Sequence, residues 1–252
     1  MSGRRSAGAA RPQGDPTAAI DRLVARYGLP DGSAAALGAL IDLLARDEHA
    51  PTAVREPSAA VDVHLADSLV ALELDEVRGA RSIADLGSGA GFPGLPLAIA
   101  LPDSRVTLVE SSSRRAAFLA RAVARTGAES VDVVESRAEE WNGGRSVIDL
   151  VVVRALAPLP VVVEYAAPLL RVGGRLVAWR GRRDLEAERA AANAASELGL
   201  EPAAPRRVAP YRGAEHRYLH LMSKVRETPE RFPRRPGIAL KRPLGGTGAP
   251  RP

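Results

Sequence analysis

The pattern of apolar and polar residues changes character near residue 81 of this 252-residue chain. Upstream of that point, apolar residues recur every three or four positions, most clearly between Leu37 and Leu44, which indicates amphipathic helices. These predicted helices cover residues 17–27, 32–46 and 58–72, with a loop over 49–56. The opening residues 1–16 are rich in Gly, Ala, Pro and Arg and are predicted to form a disordered tail.

Downstream, short apolar runs alternate with longer segments of helical periodicity. The predicted strands are residues 82–86, 105–110, 131–136, 149–154 and 175–180. The predicted helices between and after them are residues 95–100, 114–126, 138–141, 160–170 and 184–198. Such alternation predicts a parallel sheet with helices on both faces. Because crossovers between parallel strands are right-handed, the carboxyl ends of the strands meet at one edge of the sheet, where ligands bind.

A glycine-rich loop joins the first predicted strand to the helix that follows it. It runs from Asp85 to Gly94 as Asp-Leu-Gly-Ser-Gly-Ala-Gly-Phe-Pro-Gly, and its glycines let the backbone turn tightly beneath a ligand. The spacing also satisfies the dinucleotide pattern, with Glu110 near the place of a ribose-binding acid. The carboxylate of Asp85 suits an ammonium group better than a pyrophosphate, which favours S-adenosylmethionine as the cofactor.

Two further strands, residues 206–208 and 216–224, follow with no helix between them and are predicted to form a hairpin on the sheet. Five parallel strands with a terminal antiparallel pair are typical of class I methyltransferases. We therefore predict an α/β protein of the class I, Rossmann-like, S-adenosylmethionine-dependent methyltransferase type. Its mostly parallel seven-stranded sheet would carry helices on both faces and an N-terminal helical extension. The predicted regions after the tail are a helical cap over 17–78, a methyltransferase domain over 79–225 and a basic Pro/Arg-rich tail over 226–252.

The composition argues against several classes of functional site. The chain has no cysteine and only four histidines, without an H-E-x-x-H pattern, so neither a disulfide framework nor a catalytic metal is expected. The net charge is +5, and basic residues cluster at both ends, where they would attract phosphate. No apolar run has the length and purity of a membrane span or a secretory signal. A cytoplasmic monomer without membrane association is expected.

Two strand ends carry residues of uncertain role. Glu139 follows the third predicted strand, where it could read the edge of an adenine or simply stabilise a helix N-terminus. Arg154 ends the fourth predicted strand, and its fork of donors suits a phosphate, a carboxylate or guanine O6. The alternative for Arg154 is a structural ion pair with Asp149 or Glu110.

His64 and Asp67 lie three residues apart on one predicted helical face, a spacing that by itself favours a surface or capping contact. With the residues around them, however, they resemble the H-x-x-D-S signature of the bacterial 16S rRNA guanine-N7 methyltransferases, the RsmG or GidB family. The glycine loop also resembles that family's cofactor loop. Further similar motifs follow in order at residues 109–119, 136–139, 153–155, 179–181, 215–219 and 232–244.

The resemblance implies methyl transfer from S-adenosylmethionine to N7 of a guanine in the 530 loop of 16S rRNA, as free RNA or within the small ribosomal subunit. Guanine N7 has a lone pair and no proton, so the reaction needs alignment rather than a general base. The residues implied to contact the cofactor are Gly87, Phe92, Ala138, Glu139 and Arg154, with Glu110 on the ribose. The residues implied to surround the guanine are His64, Asp67, Arg154 and Arg217.

The sequence departs from the family pattern at the loop before the His64 helix. Residues 49–52 read His-Ala-Pro-Thr where many members carry an aromatic-rich stretch, which leaves the role of this loop open. Glu110 stands where many members have Asp, and Arg180 where Lys is frequent. Two other functions remain as alternatives: an NAD-dependent oxidoreductase that uses the same glycine loop, and a non-catalytic RNA-binding assembly factor on a methyltransferase fold.

Overall fold

An eight-stranded sheet lies at the centre of the computed structural model, which describes residues 14–246. The strands are β1 (Ser82–Leu86), β2 (Arg105–Glu110), β3 (Val131–Glu135), β4 (Ile148–Arg154), β5 (Leu170–Arg180), β6 (Leu200–Pro202), β7 (Arg206–Val208) and β8 (Arg217–Lys224). Their order is β3-β2-β1-β4-β5-β8-β6, with β7 also paired to β8. Strands β1 to β5 are parallel, and β8 runs antiparallel to β5. The predicted fold class is confirmed.

The structure differs from the seven predicted strands at one edge of the sheet. Strand β6 pairs with residues 222–224 of β8, and β7 pairs with residues 217–219, so the two short strands lie end to end along one partner. Pro202 and Pro205 have no backbone N–H to donate to the ladder, and the edge strand is interrupted there. The predicted hairpin of residues 206–208 with β8 is confirmed, whereas β6 was not predicted.

Helices cover both faces of the sheet. They are α1 (Pro16–Tyr27), α2 (Ser33–Arg46), α3 (Pro57–Ala60), α4 (Asp67–Leu69), α5 (Asp75–Arg78), α6 (Gly94–Ala100), α7 (Ser113–Thr126), α8 (Leu159–Ala166), α9 (Leu185–Leu198) and α10 (Ile238–Lys241). Alternate strand residues point to opposite faces. For example, Ile83 belongs to a core cluster with residues of α1, α2, α6 and α7, while its neighbour Ala84 belongs to a second cluster with residues of α8 and α9. No helix among residues 14–246 is long and apolar enough to cross a membrane.

The helical segment before the sheet is less regular than predicted. In place of one helix over residues 58–72, the structure has α3, a π-helical turn over Val61–Ala66, α4, and a 3-10 turn over Val70–Glu73. A π-turn changes the angular spacing of side chains within a helix and is frequent at functional sites. Here it lies directly before Asp67 and contains His64, both of which are buried. The local hydrophobic periodicity does not reveal this change of winding.

The structure describes most of the C-terminal region but only the last residues of the predicted N-terminal tail. Most of the predicted N-terminal tail lies outside the described residues, and α1 begins at Pro16 with the Asp15 side chain accepting a hydrogen bond from the Thr17 N–H. The region after residue 225 is basic, as predicted, but residues 226–246 pack against the domain, with Phe232 and Ala239 buried in the core. Residues 247–252 lie outside the described part.

Candidate active site

The loop between β1 and α6 takes a conformation that depends on its glycines. Gly87, Gly89 and Gly91 have φ angles of 70°, 57° and 93°, in the left-handed region. At Gly94 the limit is space, because an added Cβ would lie 2.7 Å from Asp85 Oδ2 and still closer to Leu108. The loop therefore presents its backbone to a cavity while its far end packs directly on the first two strands.

Asp85 lies beneath this loop, fully buried. Its Oδ2 accepts a hydrogen bond from the Gly94 N–H at 2.9 Å, and its Oδ1 has no partner among residues 14–246. Burial raises the pKa of Asp85 to about 7, although the Gly94 hydrogen bond opposes the shift. The sequence-based expectation that this carboxylate faces an ammonium group is not supported, since Asp85 does not line the cavity and instead fixes the loop from below.

Glu110 ends β2 on the other side of the loop and is almost fully buried. Its Oε2 accepts from the Gly89 N–H at 3.1 Å, while Oε1 accepts from the Ser112 N–H at 2.9 Å and from Arg115 at 2.7 Å. Burial alone would raise the pKa of Glu110, but these hydrogen bonds outweigh it and hold the pKa below its ordinary value. A carboxylate offers about four acceptor sites, so roughly one remains for a ligand hydroxyl.

Two neighbouring cavities open at this edge of the sheet. The glycine-loop cavity, of about 410 Å³, is lined among others by His64, Phe92, Glu110 and Arg154. The smaller Glu139 cavity, of about 170 Å³, is lined among others by Ala138, Glu139, Tyr165 and Leu240. Three residues line both cavities: Gly87, Ser111 and Leu156. The predicted cofactor residues are thus brought to two adjoining cavities that share part of their lining.

His64 is held in a defined state beside the glycine loop. Its Nε2 lies 3.3 Å from the Val54 carbonyl oxygen and 3.0 Å from Thr52 Oγ1. Because a carbonyl only accepts, we place the hydrogen on Nε2, which leaves Nδ1 as a buried acceptor without a protein partner among the described residues. Burial, followed by the charge of Arg154, lowers the pKa of His64 to about 4, so the ring is neutral near pH 7.

The imidazole of His64 also stacks on the ring of Phe92, with 4.6 Å between centroids and 13° between planes. The Arg154 guanidinium lies over the same Phe92 ring at 5.5 Å from its centroid. Phe92, predicted as a cofactor contact, therefore also joins the glycine loop to two of the residues predicted to surround the guanine.

Asp67 joins the other predicted substrate residues into one cluster. Its Oδ2 accepts from Arg154 Nη1 and its Oδ1 from Arg217 Nε, each at 2.9 Å. The Asp67 side chain is 1% exposed, against 17% for Arg154 and 31% for Arg217. The two arginines thus keep donors on the accessible side while one buried carboxylate fixes their positions. We name this group the Asp67 cluster.

The alternative partners suggested for Arg154 are engaged elsewhere. Asp149 pairs with Arg171 and also accepts from the backbone N–H groups of Arg81 and Ser82, while Glu110 pairs with Arg115. The predicted ion pair of Arg154 with Asp149 or Glu110 is therefore wrong. The carboxylate that pairs with Arg154 is that of Asp67, 87 residues earlier. The expectation of a surface or capping role for Asp67 is wrong for the same reason.

Other contributors were not singled out from the sequence. Thr52, in the loop whose role was left open, contacts His64 and lines the glycine-loop cavity. Trp179 donates its indole N–H to the Asp67 carbonyl oxygen at 2.7 Å. Leu240 of α10 reaches the Glu139 cavity from the C-terminal region. None has a local sequence signal for these roles, apart from the place of Trp179 within a motif of the resembled family.

Comparison with solved structures identifies the class of fold. The chain is similar to fibrillarin from Aeropyrum pernix, solved with natively bound S-adenosyl-L-methionine, with a TM-score of 0.50, 19% identity, and coverage of 62% of this chain and 72% of that one. It is also similar to a SAM-dependent methyltransferase from Aquifex aeolicus, with a TM-score of 0.50, 15% identity, and coverage of 66% and 93%. The protein has the fold of the class I S-adenosylmethionine-dependent methyltransferases.

Sequence comparison gives the family. Residues 37–208 match the family described as GidB, rRNA small subunit methyltransferase G. The ribosomal RNA small subunit methyltransferase G of Rubrobacter xylanophilus is 42% identical over 200 residues, which cover 77% of each chain. The protein of the same name from Chloroflexus aggregans is 43% identical over 196 residues, covering 77% of this chain and 82% of the relative. The chain belongs to the rRNA small subunit methyltransferase G family, which confirms the resemblance inferred from its motifs.

Proposed function

We propose that this protein methylates N7 of a guanine in the 530 loop of 16S rRNA, with S-adenosylmethionine as methyl donor. Membership of the rRNA small subunit methyltransferase G family supports an rRNA substrate. The observation that carries the finer proposal is the Asp67 cluster, which fixes two arginines next to a neutral histidine beside the glycine-loop cavity. The NAD-dependent oxidoreductase considered from the glycine pattern alone has no support in this family or fold.

Methylation of guanine N7 requires no general base, because N7 carries no proton. When bound, S-adenosylmethionine supplies an electrophilic methyl group, and the N7 lone pair attacks it directly. The protein then contributes by aligning the base and excluding water, which can supply about 7–11 kcal/mol at best. Burial lowers the pKa of His64 to about 4, which makes it a weak base, and Asp85 does not line the cavity, so neither serves as a general base in this proposal.

The Asp67 cluster can hold a guanine by its acceptor edge. Arg154 and Arg217 would donate to guanine O6 or to a neighbouring phosphate, as guanidinium forks commonly do. Methylation at N7 gives the base a positive charge, which two free arginines would oppose. Because Asp67 neutralises one of the two charges through direct ion pairs, the cluster tolerates the cationic product better than unpaired arginines would.

His64 would offer the complementary contact once its buried Nδ1 is uncovered by a movement of the ring or of its neighbours on substrate binding. Its unpartnered Nδ1 is an acceptor, and guanine carries donors at N1 and at the exocyclic amino group. A base held between that acceptor and the arginine donors would have a defined orientation with N7 left free. Adenine lacks a hydrogen on N1, so the same contact would disfavour it.

The cofactor would extend across both cavities. Gly87 and Phe92 would lie along its amino-acid end, Glu110 would accept from one ribose hydroxyl, and Ala138 and Glu139 would surround the adenine. Arg154 lines the glycine-loop cavity as well as belonging to the Asp67 cluster, so it would touch both cofactor and substrate.

The proposal is tested by mapping N7-methylguanosine in 16S rRNA after incubation with the protein and S-adenosylmethionine, by mass spectrometry of nuclease fragments. Free 16S rRNA and intact small subunits lacking the modification serve as parallel substrates. We expect one methyl group at a guanine of the 530 loop, and its loss in Arg154→Ala with S-adenosylhomocysteine binding retained at least in part. Arg46→Ala is the matched control, since Arg46 is an exposed arginine of α2 with a 78% exposed side chain.

Three outcomes would count against the proposal. Methylation at another atom or another region of the RNA would replace the substrate assignment. RNA binding without any methyl transfer by the wild-type protein would support the assembly-factor alternative. Full methylation and normal cofactor binding by Arg154→Ala would remove Arg154 from the site.

A further inference from the structure

The C-terminal region packs against the helical face formed by α8 and α9. Phe232 and Ala239 are each 3% exposed and belong to the core cluster on that face. Arg145 donates to the Phe232 carbonyl oxygen at 3.1 Å, and Asn193 of α9 donates to the Gly245 carbonyl oxygen at 3.3 Å. Residues 226–246 therefore follow a fixed path over the domain.

One ion pair anchors this path from within the core. Glu164 of α8 is fully buried, and Arg234 donates to both of its oxygens, from Nε at 2.8 Å and from Nη2 at 2.5 Å. The backbone N–H of Arg234 donates to the same carboxylate, and Nη2 also donates to the Arg242 carbonyl oxygen at 2.9 Å. The single guanidinium thus fixes the chain both before and after helix α10. Loss of Arg234 would leave the buried Glu164 carboxylate without its counter-charge.

Between these two fixed points the chain reaches the Glu139 cavity. The Gly237 N–H donates to Glu139 Oε1 at 3.2 Å, which joins the start of α10 to a residue of that cavity. Leu240, inside α10, lines the same cavity together with Ala138 and Tyr165. Yet 53% of Leu240 is exposed, which makes it one of few large apolar residues open to solvent in the described chain. When a ligand covers an apolar side chain at the edge of a cavity, the burial of apolar surface makes binding more favourable.

We propose that Leu240 is a cofactor-binding residue that packs against the adenine ring, and that the Arg234–Glu164 pair is the positioning element that holds it there. This inference rests on the proposed function only in taking the Glu139 cavity as the adenine end of the cofactor site. An adenine has a broad apolar face and polar edges, which matches a cavity with Leu240 and Leu156 beside Glu139. The basic C-terminal region would then serve cofactor binding directly, in addition to any contact with RNA.

The test compares dissociation constants measured by isothermal titration calorimetry on the full-length protein. The probes are S-adenosylhomocysteine and adenosine, the latter carrying only the nucleoside end. We expect Leu240→Ser to raise the Kd of both probes by the same factor, roughly 5- to 10-fold, as for loss of about half a buried leucine side chain. Leu185→Ser is the matched control, because Leu185 is 62% exposed and lies outside both cavities, and its Kd values should stay within about twofold of the wild type.

A second variant tests the anchor. Arg234→Lys keeps the charge but loses the bidentate hydrogen bonding to Glu164. It should raise the Kd of both probes by a factor similar to that of Leu240→Ser. Because both changes act on the same contact, the double variant should bind only slightly more weakly than either single variant. Simple addition of the two losses would show that Arg234 does not act through Leu240.

The outcomes separate this inference from the proposed function. Unchanged Kd values for Leu240→Ser, with a wild-type protein that binds S-adenosylhomocysteine and methylates rRNA, would overturn the inference alone. A loss seen with S-adenosylhomocysteine but absent with adenosine would also overturn it, since the contact would lie at the amino-acid end. Failure of the wild-type protein to bind S-adenosylhomocysteine would instead remove the proposed function.

Discussion

The indole N–H of Trp179 donates to the backbone carbonyl oxygen of Asp67 at 2.7 Å, across 112 residues of sequence. Trp179 is the last residue but one of β5, and Asp67 begins α4, so the bond joins the sheet to the helical cap. Asp67 in turn holds Arg154 and Arg217 through its side chain. The positions of both arginines therefore depend on the docking of the cap against the sheet.

Removal of the indole donor should disturb the substrate side of the site more than the cofactor side. Trp179→Phe keeps an aromatic ring but leaves the buried Asp67 carbonyl oxygen without this partner, which costs about 1–3 kcal/mol in the free energy of unfolding. We expect kcat for rRNA methylation to fall by a larger factor than the Kd of S-adenosylhomocysteine rises, because only Arg154 of the cluster also lines the cofactor cavity. Urea denaturation, steady-state kinetics and calorimetry give the three values, and an equal loss in cofactor binding would contradict the assignment.

The Asp67 cluster should be far more sensitive to charge removal than a similar cluster on the surface. Asp67→Asn leaves two partly buried arginines without their carboxylate and should lower the free energy of unfolding by about 3–5 kcal/mol. It should also abolish most methylation. Glu73→Gln is the matched control, because Glu73 likewise contacts two arginines, Arg26 and Arg206, but its side chain is 30% exposed. The control should cost at most about 1 kcal/mol.

Equal destabilisation by Asp67→Asn and Glu73→Gln in urea titrations would mean that burial of the Asp67 cluster contributes nothing to its strength.

The far end of the glycine loop should not tolerate a side chain at Gly94. In Gly94→Ala the new Cβ would meet Asp85 and Leu108, so the loop must shift and the Kd of S-adenosylhomocysteine should rise at least about tenfold, as a displacement worth 1.4 kcal/mol would give. Gly38→Ala is the matched control within α2, where an added Cβ has nothing within 4 Å. That change should stabilise the fold by up to about 1 kcal/mol. Calorimetry and thermal unfolding of both variants check the pair of expectations.

The buried ionisable groups Asp85 and His64 should oppose each other in the pH dependence of stability. The folded chain holds the pKa of Asp85 at about 7 and that of His64 at about 4, against ordinary values of 3.8 and 6.5. Stability from Asp85 is present below pH 3.8 and is lost as the pH rises through about 7. Stability from His64 is present above pH 6.5 and is lost as the pH falls through about 4. Between about pH 4 and 6.5 the two slopes nearly cancel.

Asp85→Asn should expose the contribution of His64. Relative to the wild type, the free energy of unfolding of the variant should rise with pH by about 1.4 kcal/mol per pH unit between about pH 4 and 7. Urea denaturation of both proteins at several pH values in that range measures the difference. A difference that does not change with pH would show that Asp85 is ionised in the folded protein throughout.

The regular part of the fold could be predicted from the sequence because its signals are local. Strands β1 and β2 begin and end at the predicted residues, since each is an apolar run bounded by loop-forming or charged residues. The change of winding in the His64 helix could not be predicted, because it leaves the hydrophobic pattern intact. The break in the edge strand has a local cause in Pro202 and Pro205. Strand β6, which precedes the break, could not be predicted because its three residues are too few to form a recognisable apolar pattern.

The site itself was only partly predictable. The glycine loop and Glu110 carry local patterns, so their place at the sheet edge could be expected. The pairing of Asp67 with Arg154 and Arg217 joins residues 87 and 150 positions apart, and no local pattern specifies such a contact. The neutral state of His64 likewise depends on burial by residues from elsewhere in the chain.

The order of strands also determines when the site can form during synthesis. Strand β8 is the last to emerge, yet it lies between β5 and β6 in the sheet and carries Arg217. A nascent chain that stops short of residue 217 holds Asp67 and Arg154 with one arginine missing and the edge of β5 unpaired. Such an intermediate exposes a row of backbone donors and acceptors, the kind of edge that invites wrong pairing. Completion of the Asp67 cluster therefore coincides with closure of that edge, so the candidate site is complete only in a protein whose sheet is also complete.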